Sequence, residues 1–362
     1  MKGDVVPPAR CSVLTMRSLA IDTHSDTSST RRSGQLTREI SSESIERLQM
    51  ANNFAHIPVL ASEVTDFFAH LPVGVVVDAT LGGGGHAELI LSANPNVRLL
   101  GIDRDAVARS AASSRLARFG ERVRVSAGTF GELRDIRENA ADFVGTDPIV
   151  GVLADLGVSS PQLDDPTRGF SFREDAPLDM RMDSSTGFTA AELITTLDAR
   201  ELTQLLREHG EGRFAPAIAR AVIATAPQTT GELVAAVERA VPMGARRRGH
   251  VATRVFQALR VRVNDEEGQL EAMLSGALDL LAPEGVLVVI SYHSGEDKVV
   301  KAQLATAATG GCTCPVALGC VCGAVPRVRL LKASAIMASD EEIAQNPRAR
   351  SARLRVAWKV PA

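Results

Sequence analysis

Short apolar runs alternate with stretches of helical periodicity along the chain from about residue 73 onward. The apolar runs are too short for helices, and most end in polar or glycine-rich residues; they cover residues 75–77, 98–103, 123–125, 150–153 and 286–290. Such runs, separated by helices, are typical of a parallel sheet that is covered on both faces. The pattern therefore predicts an α/β fold with a doubly wound sheet.

Strand signals stop between residues 164 and 264, where leucine, isoleucine, valine and alanine recur at helical spacing. The periodic segments are residues 189–197, 199–209, 213–224 and 230–240. Thr189, Asp198 and Thr230 are the expected N-cap residues, because their side chains can accept hydrogen bonds from the first turn. A long amphipathic helix over 265–281 then leads, through a turn at 283–285, into the last predicted strand.

These patterns divide the chain into three parts. Residues 1–52 are rich in serine, threonine and arginine without a sustained period, which predicts a disordered leader, and Met50 is a hypothetical alternative start. Residues 53–163 and 265–362 form the predicted sheet domain, and residues 164–264 form a helical insertion domain within it. No run approaches the length of a membrane helix, so we expect a cytoplasmic protein without membrane contact.

The net charge of −3 provides no global attraction to nucleic acid, so any RNA contact must use local patches. Two clusters of basic residues are candidates, although such runs are often only solvated surface. The first consists of Arg246, Arg247 and Arg248, with Arg254, Arg260 and Arg262 downstream, and the second of Arg348, Arg350, Arg353, Arg355 and Lys359.

Four of the five cysteines lie close together, as Cys312, Cys314, Cys320 and Cys322. Four thiolates within eleven residues could surround one Zn²⁺ ion, although C-x-C pairs are tighter than the commoner C-x-x-C pairs. The alternative is four reduced thiols in a loop. The sequence therefore predicts a structural zinc site as one of two possibilities.

The densest chemical signal is the segment DATLGGGGH at residues 78–86, where the first strand should pass into the first helix. Glycines there allow a ligand to approach the backbone, and the helix N-terminus offers free N–H groups. Asp103, at the end of the second strand, is placed to accept hydrogen bonds from ribose hydroxyls. The alternative for Asp103 is a helix cap, which Asp105 could supply instead.

Two further polar clusters follow predicted strands. The segment DLGVSSPQ places Asp155, Ser159, Ser160 and Gln162 after the fourth strand, and His293 follows the last one. In open α/β sheets, ligands bind beyond the carboxyl ends of the strands, so these side chains should face the same crevice as Gly82 to Gly85. The alternatives are a serine-rich helix cap and a structural histidine, since His293 could be a base or an orienting group.

The combined motifs closely resemble the bacterial family of small-subunit ribosomal RNA cytosine-N4-methyltransferases, over nearly everything from His56 to Trp358. The segments that carry the resemblance are residues 56–60, 78–86, 101–105, 155–164, 168–172, 177–183, 291–297 and 346–351. Tyr292 stands where phenylalanine is usual, Gly295 where leucine is usual, and the leader is longer than expected.

The resemblance implies a Rossmann-like methyltransferase sheet with an inserted helical domain for the RNA substrate. It implies S-adenosylmethionine as the cofactor, at positions matching Gly84, Gly85, His86, Asp103, Phe130, Asp155 and Gln162. The implied target is a cytosine of the 16S rRNA decoding centre, in naked RNA or in the small ribosomal subunit, and a homodimer is left open.

For the reaction, we expect Asp155 or Ser159 to lie closest to the target amine, and His293 is a third catalytic candidate. We expect Arg246, Arg247 and Arg248 to bind phosphates of the RNA. An enzyme that acts on a base must take it out of the stack, so an unpaired nucleotide should enter the crevice. Two other functions remain open at this point: an NAD-dependent oxidoreductase with the same glycine loop, and a non-catalytic RNA-binding protein.

Overall fold

A computed structural model describes residues 58–245, 252–315 and 321–361. The predicted leader and Met50 lie outside these residues. Within them, one sheet contains the strands β1 (Gly74–Asp78), β2 (Val97–Asp103), β3 (Val123–Ala127), β4 (Ile149–Asp155), β5 (Leu281–Ser291), β6 (Val328–Leu330) and β7 (Arg353–Lys359). None of the described helices is long and apolar enough to cross a membrane.

Helices connect the strands and cover the sheet. Those outside the region between β4 and β5 are α1 (Ala61–Phe68), α2 (Gly85–Ala93), α3 (Ala106–Leu116), α4 (Ile136–Asn139), α5 (Ala141–Val144), α13 (Ser294–Thr309) and α14 (Asp340–Gln345). Those between β4 and β5 are α6 (Ser160–Asp164), α7 (Ala190–Thr196), α8 (Ala199–Glu208), α9 (Ala215–Thr225), α10 (Thr230–Ala240), α11 (Ala252–Asn264) and α12 (Glu266–Leu280).

The strand order is β3-β2-β1-β4-β5-β7-β6. The first five strands in this order run parallel, whereas β7 pairs antiparallel with both β5 and β6. Because β1 lies between β2 and β4, the chain reverses its direction of travel across the sheet at β1. This is the point at which open α/β sheets form a crevice for ligands.

Two apolar cores cover the two faces of the sheet, which confirms the doubly wound α/β prediction. Val76 and Leu153 point to a core completed by α1, α2 and α3, whereas Val77 and Val152 point to a core completed by α12 and α13. Neighbouring residues of one strand thus serve opposite cores, because side chains alternate across a strand. Burial on both faces explains why the central strands β1, β4 and β5 lack a polar alternate position.

A third core is formed by buried residues between Phe170 and Leu259 and includes side chains from α7 to α11. The helices follow the predicted periodicity, with Thr189 and Asp198 as N-caps. The third predicted cap is wrong by one residue: Thr229 caps α10, while the Thr230 hydroxyl donates to the Glu174 carbonyl. The division into two domains at residues 164 and 264 stays a prediction.

The end of the chain differs most from the sequence-based expectation. The predicted turn at 283–285 lies inside β5, where the pairing with β4 shifts register and Glu284 adopts a φ of 63°. The basic run at the C-terminus is partly a strand, because Leu354 and Val356 of β7 are buried in the sheet while arginines alternate with them. Because these charged positions interrupt the apolar pattern, the sequence did not predict this strand.

Candidate active site

A cavity of about 580 Å³ lies at the carboxyl ends of the parallel strands. Its walls come from the segments after β1 to β5 and from the residues just before β7. The predicted site residues that line it are Gly85, His86, Asp103, Phe130, Asp155, Ser159, Gln162 and His293, and Gly82 and Gly83 join them. The glycine turn, Asp103 and the segment after β4 therefore meet in one crevice.

The glycine turn has two different roles in the structure. Gly82 adopts a φ of 51° and donates its N–H to Oδ2 of Asp103 at 2.8 Å. Gly84, the N-cap of α2, has a φ of 78°, and an added Cβ would lie 3.2–3.3 Å from Leu116 and Ala112 of α3. Gly84 thus permits α2 to pack closely on α3 and does not itself line the cavity, whereas Gly82, Gly83 and Gly85 do.

Asp103 is held at the cavity edge by two backbone N–H groups, those of Gly82 and Asp105, each at 2.8 Å. Burial raises the pKa of Asp103, although these hydrogen bonds act in the opposite direction. Asp105 caps α3 by accepting from the Val107 N–H. The alternative in which Asp103 only caps the helix is therefore wrong.

Asp78, His86 and Asp155 form a cluster of titratable side chains at the cavity, in which Asp78 and His86 are buried and Asp155 is half-buried. Asp78 ends β1, and burial, opposed by the charge of His86, raises the pKa of its carboxyl to about 7. Nε2 of His86 lies 3.6 Å from Oδ2 of Asp155, and neither ring nitrogen of this buried histidine has a hydrogen-bond partner in the structure. A buried imidazole without partners beside a cavity is a group ready to bind a polar ligand.

Asp155 is fixed from two sides. Its backbone N–H donates to Oγ1 of Thr80 at 2.6 Å, and its Oδ1 accepts the hydroxyl of Tyr292 at 2.7 Å. Burial first, and then the negative charge of Asp155, raise the pKa of Tyr292 well above its ordinary value. Tyr292 therefore acts as a hydrogen donor, and Oδ2 of Asp155 is left facing His86.

Gln162 joins the segment after β4 to the segment after β2. Its Oε1 accepts the Ser159 N–H at 3.0 Å, and its Nε2 donates to Oδ2 of Asp105 at 3.0 Å. Arg168 donates to the same oxygen of Asp105 at 2.9 Å. Ser159 is the N-cap of α6 and also lines the cavity, so the capping role and the position at the site are compatible.

His293 is the N-cap of α13, and its Nδ1 accepts the Glu296 N–H at 3.3 Å. Its Nε2 lies 2.9 Å from Oε1 of Glu296, close but without the alignment of a full hydrogen bond. Burial acts to raise the pKa of Glu296, but His293 and the charge of Arg260 outweigh burial and lower it. Nδ1 is engaged in the helix cap, which favours an orienting role for His293 over that of a base.

The arginines of the two predicted basic patches lie in different environments in the structure. Arg246, Arg247 and Arg248 lie outside the described residues. Arg260 is half-buried, makes two 2.8 Å hydrogen bonds to Glu266 and borders the cavity. Arg355 is half-buried against Asp297. Arg348 and Arg350 also line the cavity.

Three of the four predicted metal ligands come together: one sulfur each from Cys312, Cys314 and Cys322 lies within 4.8 Å of the others. Cys320 lies outside the described residues.

The sequence analysis missed Asp78 and Tyr292 as site residues. The rule that selected Asp103 and Asp155, a polar residue at the end of a buried strand, would also have selected Asp78. It also missed a second cavity of about 320 Å³ between α8 and α9, lined by Arg200, Arg207 and Arg220. All three arginines are exposed, and their separation along the chain concealed the cluster.

The chain is similar to known methyltransferases over most of its length. The model of the MraW methylase family matches residues 53–360. The "Ribosomal RNA small subunit methyltransferase H" of Geobacter sulfurreducens is 48% identical over 314 residues, which cover 85% of this chain and 99% of that protein. The protein of the same name from Anaeromyxobacter dehalogenans is 48% identical over 317 residues, covering 86% and 100%. A solved putative rRNA-methylase from Clostridium thermocellum is 13% identical, with a TM-score of 0.39 and coverage of 84% of this chain and 100% of that one.

Proposed function

Because the chain belongs to the MraW methylase family, we propose that it transfers a methyl group from S-adenosylmethionine to the exocyclic N4 amine of a cytosine in the decoding centre of 16S rRNA. The name that these relatives share supports the small ribosomal subunit as the origin of the RNA. The choice of cytosine and of its N4 atom rests on the resemblance of the motifs.

The observation that carries the proposal is the meeting of the glycine turn, Asp103 and Asp155 in one cavity of about 580 Å³. This volume lies within the range of about 300–1,000 Å³ that is typical of cofactor and small-molecule sites. The three segments leave β1, β2 and β4, the strands around the reversal of strand order. A ligand there can contact all three at once.

The residues present fit S-adenosylmethionine. Gly82, Gly83 and Gly85 expose backbone to the cavity, Asp103 offers a carboxylate for ribose hydroxyls, and His86 has two buried nitrogens without partners. Phe130 adds an aromatic wall after β3. When bound, this cofactor supplies a methyl group on a positively charged sulfur, the electrophile of the reaction.

The protein's task is to present the target nitrogen, since an amine conjugated with its ring is a poor nucleophile and needs alignment at near-attack distance. Asp155 accepts a hydrogen bond from the amine and takes up the proton that leaves nitrogen as the new bond forms. Tyr292 and the backbone contact to Thr80 hold Asp155 for this role. No covalent enzyme intermediate is required.

An anionic substrate is supported by two groups of arginines. Arg348 and Arg350 line the active-site cavity, and Arg200, Arg207 and Arg220 line the second cavity between α8 and α9. Arginine is suited to phosphate because its planar guanidinium can donate two parallel hydrogen bonds. These groups provide local attraction in a protein whose net charge is −3.

The experiment supplies 30S subunits and naked 16S rRNA, in separate reactions, with S-adenosylmethionine that carries a labelled methyl group. We expect label on one cytosine, mapped by nuclease digestion and mass spectrometry and located at N4 by comparison with a synthetic standard. Asp155→Ala, checked to be folded by circular dichroism, should abolish transfer. Label on another base, or on a different atom of cytosine, would refute the proposal.

Two other functions make different predictions. An NAD-dependent oxidoreductase would bind NAD in calorimetry, whereas we expect binding of S-adenosylmethionine alone. A non-catalytic RNA-binding protein would bind 30S subunits without transferring label. Membership of a methylase family favours neither of them.

A further inference from the structure

The connection between α13 and β6 contains a cluster of thiols that the proposed methyl transfer does not use. One sulfur each from Cys312, Cys314 and Cys322 lies within 4.8 Å of the other two. A tetrahedral zinc site with Zn–S bonds of about 2.3 Å places its sulfurs roughly 3.8 Å apart. The observed spacing is therefore close to that of ligands around one ion.

The three sulfurs converge on one point although Cys322 lies eight residues beyond Cys314 in the sequence. Cysteine binds metals as the thiolate. A single disulfide would not account for this arrangement, because it would use two of the three converging thiols and leave the third.

The loop that carries the cluster has no apolar core in its described part. No residue in 311–315 or 321–327 is buried, and Val321 and Val325 are 88% and 73% exposed. Ordering a backbone without burial of apolar surface costs conformational entropy that must be offset by other interactions. Small segments of this kind are commonly held by a disulfide or a metal ion.

Backbone contacts hold the two ends of the loop against α13. The N–H of Arg327 donates to the Ala307 carbonyl at 2.8 Å. Gly310, with a φ of 63°, lies so close to the backbone of Val325 that an added Cβ would come within 2.4–2.6 Å of it. These contacts fix where the loop leaves and returns, and Cys312 lies only two residues beyond Gly310.

We propose that Cys312, Cys314 and Cys322 bind one Zn²⁺ ion that orders the connection between α13 and β6. Thiolates are soft ligands that select zinc among the abundant divalent ions, and hard cations such as Mg²⁺ prefer oxygen. The ion has a structural role, since none of these cysteines lines the active-site cavity. The three described thiols carry the proposal, and Cys320 as a fourth ligand remains a prediction from the sequence.

The test measures metal directly in the full-length protein, purified under reducing conditions with zinc in the growth medium. We expect about one zinc per chain by plasma mass spectrometry. Cys314→Ser and Cys322→Ser should each lower this content to background. Cys11→Ser, which removes the fifth cysteine, is the matched control and should retain the metal.

Cobalt exchanged into the protein should give thiolate-to-metal charge-transfer absorption that is lost in the same two variants and kept in the control. Circular dichroism and the unfolding midpoint check that the variants fold, and chelation of the wild-type protein provides a measurement without substitution. Chelation should speed proteolysis within 311–327 and leave the rate of cleavage elsewhere unchanged. Metal-free protein whose native thiols all react with a thiol reagent, or a disulfide found by mass spectrometry, would overturn the proposal.

Discussion

Tyr292 donates its hydroxyl hydrogen to Oδ1 of Asp155 across 2.7 Å and so connects the end of β5 to the end of β4. The resemblance to the family predicts phenylalanine at this position, so the hydroxyl is a feature of this chain. It restrains Asp155 and leaves Oδ2 as the oxygen that faces His86.

Tyr292 is the chain's single tyrosine, so its ionisation can be followed by ultraviolet absorbance without a background from other tyrosines. Burial, and then the charge of Asp155, raise the pKa of Tyr292. We expect the tyrosinate signal of the folded protein to appear only well above the ordinary tyrosine range, and a midpoint near 10 after denaturation. Asp155→Asn removes the neighbouring charge and should lower the folded pKa; ionisation of the folded wild type near 10 would contradict the contact.

Substitutions of Asp103 and Asp155 should change different steady-state kinetic parameters. Asp103→Ala removes a proposed ribose contact and should raise KM for S-adenosylmethionine by about 10- to 100-fold with a smaller change in kcat. Asp155→Asn should lower kcat by about 100- to 10,000-fold, because it removes the proposed proton acceptor. Glu121→Gln, an exposed acidic residue, is the control; equal effects of the two substitutions on kcat would reject the division of roles.

The Asp78 carboxyl should make the free energy of unfolding decrease as pH rises. Its folded pKa of about 7 lies above the ordinary value of 3.8, so the folded state holds the proton more tightly than the unfolded state. The cost of ionising it in the fold therefore develops between about pH 4 and pH 7 and stays constant above. Asp78→Asn keeps an acceptor for the Thr80 N–H but cannot ionise.

Relative to wild type, Asp78→Asn should gain on the order of a few kcal/mol of unfolding free energy at about pH 8, and little at about pH 4. Urea unfolding at several pH values measures this difference without the cofactor. A difference that is constant with pH, or larger in acid, would show that Asp78 is already ionised in the folded protein at low pH.

The arginines between α8 and α9 should contribute to RNA affinity through phosphate contacts. Changing Arg200, Arg207 and Arg220 together to glutamine should weaken binding of 16S rRNA fragments and lower the slope of log affinity against log salt by roughly 2. Changing Lys298, Lys301 and Lys332 to glutamine removes the same charge from exposed positions elsewhere. Equal losses in the two triple variants would mean that only net charge matters.

The sheet was predictable because its strands are buried on both faces and therefore form continuous apolar runs. The site was predictable to the extent that strand ends carry polar residues, as Asp103 and Asp155 do. β7 was not predicted, since its arginines break the apolar run, and these find partners such as Asp297, 58 residues away in the sequence. Arg260 shows the same limit: its charge is visible in the sequence, but its ion pairs with Glu266 and Glu296 are not.

The pairing of β7 has a consequence for the wall of the active-site cavity. β7 is an interior strand, with β5 on one side and β6 on the other, and the cavity residues Pro347, Arg348, Arg350 and Ser351 come directly before it. A substitution that loosens β7 from β5 would therefore displace these residues as well as weaken the sheet, so damage to this strand should reduce ligand binding together with stability.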